Sequence, residues 1–146
     1  MSARRSALTR ANLGFLLAKA SQRWNEGLAA GFAAEGFGHV RPAFGAILIP
    51  LFEEDGLRLG EIAERGGIAK QTMTTTIREV EAAGLVRRKP DPADARATRV
   101  YLTAEARRFA PVAERVLAAL ERSARILDGA AEMQRVAGWL ERFTRT

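Results

Sequence analysis

Apolar residues recur every three or four positions between residues 8 and 34, at Leu13, Leu16, Leu17, Ala20, Trp24, Leu28 and Phe32. That spacing puts them on one side of a helix and predicts a long amphipathic first helix. Glycines at 36 and 38 end it. Pro42 suits the first turn of a second helix, with Phe44, Ile47, Leu48, Leu51 and Phe52 on its apolar face. Pro50 lies within the same stretch, where it removes a backbone donor and crowds the preceding turn, so a kink or early end is expected. Two shorter helices follow, at residues 59–65 and 70–83. Ile62 and Ala63 lie on the first; Ile68, Met73, Ile77 and Val80 mark the buried side of the second. A glycine at the reversal, Gly67, completes the grammar of a helix-turn-helix.

Beyond Gly84, a left-handed terminus with Leu85 folding back, the period changes from helical to alternating. Strands are expected at residues 85–89 and 98–102, joined by the Pro- and Asp-rich loop PDPADARA. Thr103 can cap a fifth helix, with Glu105 favourable in its first turn. That helix should run to about residue 127 and break at Asp128 and Gly129. A sixth, to about residue 143, carries Met133, Val136, Trp139, Leu140 and Phe143. The chain thus reads as mainly α: an N-terminal helix (1–38), a winged helix-turn-helix with a two-stranded β-wing (39–103), and C-terminal helices (104–146).

Composition narrows the chemistry. The 146 residues are 47% hydrophobic, enough for a core, and carry 23 basic against 17 acidic groups, a net charge of +6. All but three of the basic residues are Arg, whose planar fork suits phosphate and guanine. With no cysteine and one histidine, disulfides, thiolate metal centres, thiol redox sensing and histidine-rich metal sites are excluded. Neither a signal peptide nor a spanning segment is read, so a cytoplasmic location without membrane partners is expected. No nucleophile–base pair, phosphate-cradling glycine loop or metal spacing stands out, and neither enzymatic activity nor a cofactor is expected. Glu53, Glu54 and Asp55 read as a solvated helix end.

The outer side of the fourth helix carries the most specific chemistry. Gln71, Thr74, Thr75 and Arg78 form a polar stripe without a carboxylate, with Lys70 and Thr72 at its margins. Gln pairs with adenine, Thr offers a hydroxyl and a methyl to thymine, and Arg reads guanine or grips phosphate. In the wing, Arg87, Arg88 and Lys89 stand at the base and Arg96 at the tip. An Arg at a hairpin tip fits a narrow minor groove. Asp94 could orient its guanidinium, although a surface ion pair is the plainer explanation. Lys70, Gln71, Thr72, Thr74, Thr75, Arg78, Arg88 and Arg96 are therefore the candidate DNA-binding residues. Arg4, Arg5 and Arg10 could touch DNA or fray in solvent.

Together these residues resemble the MarR family of winged-helix transcriptional regulators. The resemblance rests on the helix-turn-helix GEIAERGGIAKQT, the wing EAAGLVRRKPDPADAR and the closing YLTAEAR. Its most specific element is the D-P-x-D-x-R pattern at Asp91, Pro92, Asp94 and Arg96. The chain departs from it at Gly66 and Thr76, where leucines are common, and at Ala69, where a Ser cap is usual. The Gly66-Gly67 pair is expected to loosen the turn.

The resemblance implies a homodimer with intertwined first, fifth and sixth helices, repressing genes from palindromic operators. The apolar faces at Leu13, Leu16, Leu17, Val136, Leu140 and Phe143 would form the shared core. It also implies release from DNA by a small aromatic or phenolic effector bound between the dimerisation and DNA-binding regions. Trp24, His39, Arg41 and Phe44 could line that site: Trp24 would stack on a ring and Arg41 would meet a carboxylate or phenolate. Plain core or hinge packing is the simpler reading of all four. His39 could also sense pH. A non-specific architectural DNA-binding protein, or a winged-helix module that docks other proteins, would share the fold and the charge.

Overall fold

The computed structural model describes residues 7–145. Asn12 starts the first helix, α1 (Leu13–Ala34), by accepting a hydrogen bond from the Phe15 backbone N–H at 2.9 Å. The helix therefore begins five residues later than its apolar pattern suggested. A 3-10 turn (Pro42–Phe44) leads into α2 (Gly45–Glu53). Pro50 is buried inside α2, and the helix continues three residues past it rather than ending there.

The next segment holds a strand that the pattern did not predict, β1 (Leu57–Arg58), followed directly by α3 (Leu59–Gly66) and α4 (Lys70–Ala82). The Arg58 backbone N–H donates to the Glu61 carboxylate at 3.1 Å, which secures the start of α3. The α3–α4 turn is tight, not loose. Gly67 takes φ +64°, and the Ile68 N–H returns to the Ala63 carbonyl at 3.0 Å. Gly66 is held closer still: a Cβ there would lie 2.2 Å from the Ala46 carbonyl oxygen. Residue 46 is four before Pro50, which has no N–H to offer that carbonyl. α3 packs against α2 where only a glycine fits.

Gly84 adopts φ +79°, and the Leu85 N–H bonds back to the Val80 carbonyl, so α4 ends as expected. The wing strands β2 (Val86–Asp91) and β3 (Asp94–Leu102) are longer than predicted. Only Pro92 and Ala93 lie between them, and the expected eight-residue loop is mostly strand. β3 is central in a three-stranded antiparallel sheet of order β1-β3-β2, with Leu57 opposite Val100 and Arg88 on the other side of the same residue. The wing is thus two strands of a three-stranded sheet.

Thr103 caps α5 (Ala104–Asp128), accepting from the Ala106 N–H at 3.2 Å while its hydroxyl donates to the Gly84 carbonyl at 2.6 Å. One threonine therefore ties the end of α4 to the start of α5. Gly129, φ +87°, separates α5 from α6 (Ala130–Thr144). The core is formed by Ile47, Leu48 and Leu51 of α2, Leu57, Ile62, the α4 trio Met73, Ile77 and Val80, and Leu85, Val86, Val100 and Leu102 of the wing. An edge-to-face contact between Phe32 and Phe109, 4.8 Å between centroids, carries this core between α1 and α5. Leu28, Ala106, Val112 and Val116 are buried beside it, whereas α6 and the start of α1 are largely exposed. α6 has no buried residue, and Leu13, Leu16, Val136 and Phe143 are each at least 50% exposed. Among the described residues no helix is long and apolar enough to cross a membrane.

Candidate nucleic-acid interface

Burial of Met73, Ile77 and Val80 fixes the roll of α4 and leaves Lys70, Gln71, Thr72, Thr74, Thr75 and Arg78 exposed. The N-terminus of the helix has no side-chain cap, because Ala69 stands there. Thr74 is partly committed: its hydroxyl donates to the Lys70 carbonyl at 3.0 Å, which leaves the methyl as its freer feature. Lys70, Thr74, Arg78 and Arg88 line one cleft of about 520 Å³ between α3, α4 and the wing. Gln71, Thr72 and Thr75 lie outside that cleft.

Two arginines offered as equivalent DNA contacts have different surroundings. Arg88 forms a fork with Glu81, Nε and Nη2 each donating at 3.0 Å, and so braces the wing against α4. Hydrogen bonding to Arg88 holds the Glu81 carboxyl below its usual range and raises the guanidinium in turn. Arg96 is 97% exposed at its side chain. Asp94 does not clamp its guanidinium; the nearest approach is 3.9 Å. Instead the Asp94 carboxylate accepts the Arg96 backbone N–H at 3.0 Å, which shapes the strand after the turn.

The wing is anchored by a group absent from the sequence-based site. Asp91 is the buried charged residue of the described chain, its side chain 1% exposed. It accepts from the Ala93 N–H at 2.9 Å, from Arg58 Nε at 2.9 Å and Nη2 at 2.7 Å, and it lies 3.1 Å from Arg99 Nε. The Ala93 bond first, then Arg58 and Arg99, hold its carboxyl below the usual range against the opposing effect of burial. The D-P turn was visible in the sequence; the arginines that close on it come from β1 and β3, 33 residues before and 8 after it. Pairing across that separation has no local signal.

The α2 end is also more than a solvated carboxylate run. Glu54 pairs with Arg65 at 2.6 Å, and Asp55 accepts from the Leu102 N–H at 2.8 Å and from Arg107 at 2.9 Å. Arg4 and Arg5 lie outside the described residues, and Arg10 is exposed.

A second recess, of about 420 Å³, lies between α1, the turn before α2, α2 and α5. Trp24 and Arg41 line it. Phe44 does not, being 2% exposed within the core, and His39 stacks on Phe37 and approaches Glu105 to 3.5 Å elsewhere. Arg41 Nη1 donates to Glu79 at 3.1 Å, so this wall is in contact with α4.

Residues 44–98 match the model of the MarR family. HTH-type transcriptional regulator TtmR of Methylorubrum extorquens (strain PA1) is 38% identical over 61 residues; the match spans 42% of this chain and only 31% of TtmR. Among solved structures, the transcriptional repressor CouR bound to a 23-mer DNA duplex superposes with a TM-score of 0.79 at 24% identity, over 95% of this chain and 99% of CouR. The PcaV transcriptional regulator of Streptomyces coelicolor, in complex with its natural ligand, superposes with a TM-score of 0.70 at 23% identity, over 97% of both chains. The family model covers the helix-turn-helix and most of the wing, and the remaining helices follow the fold of these solved regulators: residues 44–98 are similar to the MarR family, within a chain of the same overall fold.

Proposed function

We propose that the protein is a homodimeric transcriptional regulator that reads a palindromic operator, acts as a repressor, and is released by a small aromatic molecule. One observation carries the reading: residues 70–78 of α4 expose six polar or basic side chains and no carboxylate, the exposed Glu79 coming only after them, beside a wing whose Arg96 is 97% exposed. α4 suits a major groove, and Arg96 the neighbouring minor groove. Lys70, Gln71, Thr72, Thr74, Thr75, Arg78 and Arg96 are the proposed contacts, with Arg88 acting mainly as a brace. CouR, of the same fold, is a repressor with DNA bound, and PcaV has its natural ligand bound. TtmR, matched over part of its length, is an HTH-type transcriptional regulator. The exposed apolar faces at both ends of the chain support residues 1–38 and 104–146 as the dimerisation region.

Selection of bound fragments from a random duplex pool tests the reading. Two copies of α4 should enrich an inverted repeat with half-sites about one helical turn, roughly 34 Å, apart. Equal affinity for the selected and a random duplex at fixed salt would instead favour an architectural role. Absence of any duplex binding would favour a protein-docking module.

A further inference from the structure

The recess behind the recognition helix has the size of a small-molecule site, about 420 Å³, and walls that include Trp24, Phe32, Leu48, Phe52 and Phe109. Two charged residues, Arg41 and Glu114, complete the lining. Their charges are not equally available. Arg41 is paired with Glu79 through one hydrogen bond at 3.1 Å. Glu114, exposed on α5, has no hydrogen-bond or ion-pair partner among the described residues. Glu114 is therefore the charge on this otherwise apolar lining that has no protein partner among the described residues.

We propose that the recess takes a small aromatic molecule carrying a positive charge, an arylalkyl amine or a related cation, with its ring among the apolar walls and its charge at Glu114. This rests on the effector reading above and names the chemistry that site selects. An aromatic lining favours the same sign, because Trp and Phe ring faces attract cations. An anion would share Arg41 with Glu79 and lie in the field of Glu114. A cation disturbs no existing pair.

Calorimetric titration of the full-length protein with three probes of one shape tests this: 2-phenylethylamine, 2-phenylethanol and phenylacetate. The amine should bind about tenfold more tightly than the alcohol, and phenylacetate more weakly than either. Glu114→Gln, an exposed and conservative change, should remove the advantage of the amine and leave the affinity for the alcohol unchanged. Tightest binding by phenylacetate, or an amine preference that survives Glu114→Gln, overturns the proposal. Equal binding of all three probes also overturns it, but leaves a small-molecule site in place. No binding by any of them overturns both the charge selection and the aromatic-effector reading.

Discussion

Arg96 and Arg88 show how little a residue type says about its role. Both are wing arginines, yet the first projects into solvent and the second is held by Glu81. Arg78→Ala should weaken operator binding by about 1–3 kcal/mol and relax the preference at one base pair. Arg96→Ala should weaken binding mainly on operators with a narrow A·T-rich flank. Fluorescence anisotropy on operator and flank variants separates the two; an unchanged flank preference in Arg96→Ala would remove that residue from the minor groove. Asp91 gives a pH prediction. Its carboxyl is lowered in the native state, so its contribution is complete above about pH 3.9, the unfolded value, and is lost as the pH falls through the lower native one. Asp91→Asn should flatten that part of the acid limb in urea midpoints measured against pH. It should also reduce stability at neutral pH, by leaving Arg58 and Arg99 without their shared carboxylate.

At the scale of elements, α3 and α4 carry two small residues with opposite consequences. A methyl at Gly66 would press on the Ala46 carbonyl from 2.2 Å, and backbone cannot swing aside as a side chain can. Gly66→Ala should therefore cost about 1–3 kcal/mol in urea unfolding. Ala69 has the extended geometry of a cap, φ −64° and ψ 147°, but no side-chain acceptor. Ala69→Ser should stabilise by about 1 kcal/mol, through a new acceptor for the first free N–H groups of α4. The helices, their order and both glycine termini at 67 and 84 were legible in the sequence, because periodicity and caps are local. β1 was not: two residues make no pattern, and Leu57 and Arg58 are strand only because β3 lies beside them. The wing loop was misjudged for the same reason. Pro90 and Asp91 carry turn chemistry, but the ladder to Thr98 and Asp94 extends the strands around them.

For the whole molecule, the uneven distribution of apolar surface supports the proposed dimer. The core is continuous from α2 through the wing to Phe109 and Phe32, while α6 and the start of α1 present leucine, valine and phenylalanine to water. Burying one leucine is worth about 1.5–3 kcal/mol, and a twofold dimer buries each one twice. Leu16→Glu and Val136→Glu should each raise the dimer dissociation constant at least tenfold in sedimentation equilibrium. The parent protein should melt at a temperature that rises with its concentration. A concentration-independent melting point would overturn the proposed dimer.

Hydrophobic spacing, caps and the residue types on α4 and at the wing tip were enough to specify a helix-turn-helix, its buried side and its polar outer side, since each depends on neighbours within about one or two turns. Only the folded chain could bring Arg58 and Arg99 onto Asp91, commit Arg88 to Glu81 and Arg41 to Glu79, and leave Glu114 uncompensated at an aromatic recess. Those are pairings between distant segments. Coulomb attraction and burial choose among such partners only after packing has brought them within reach.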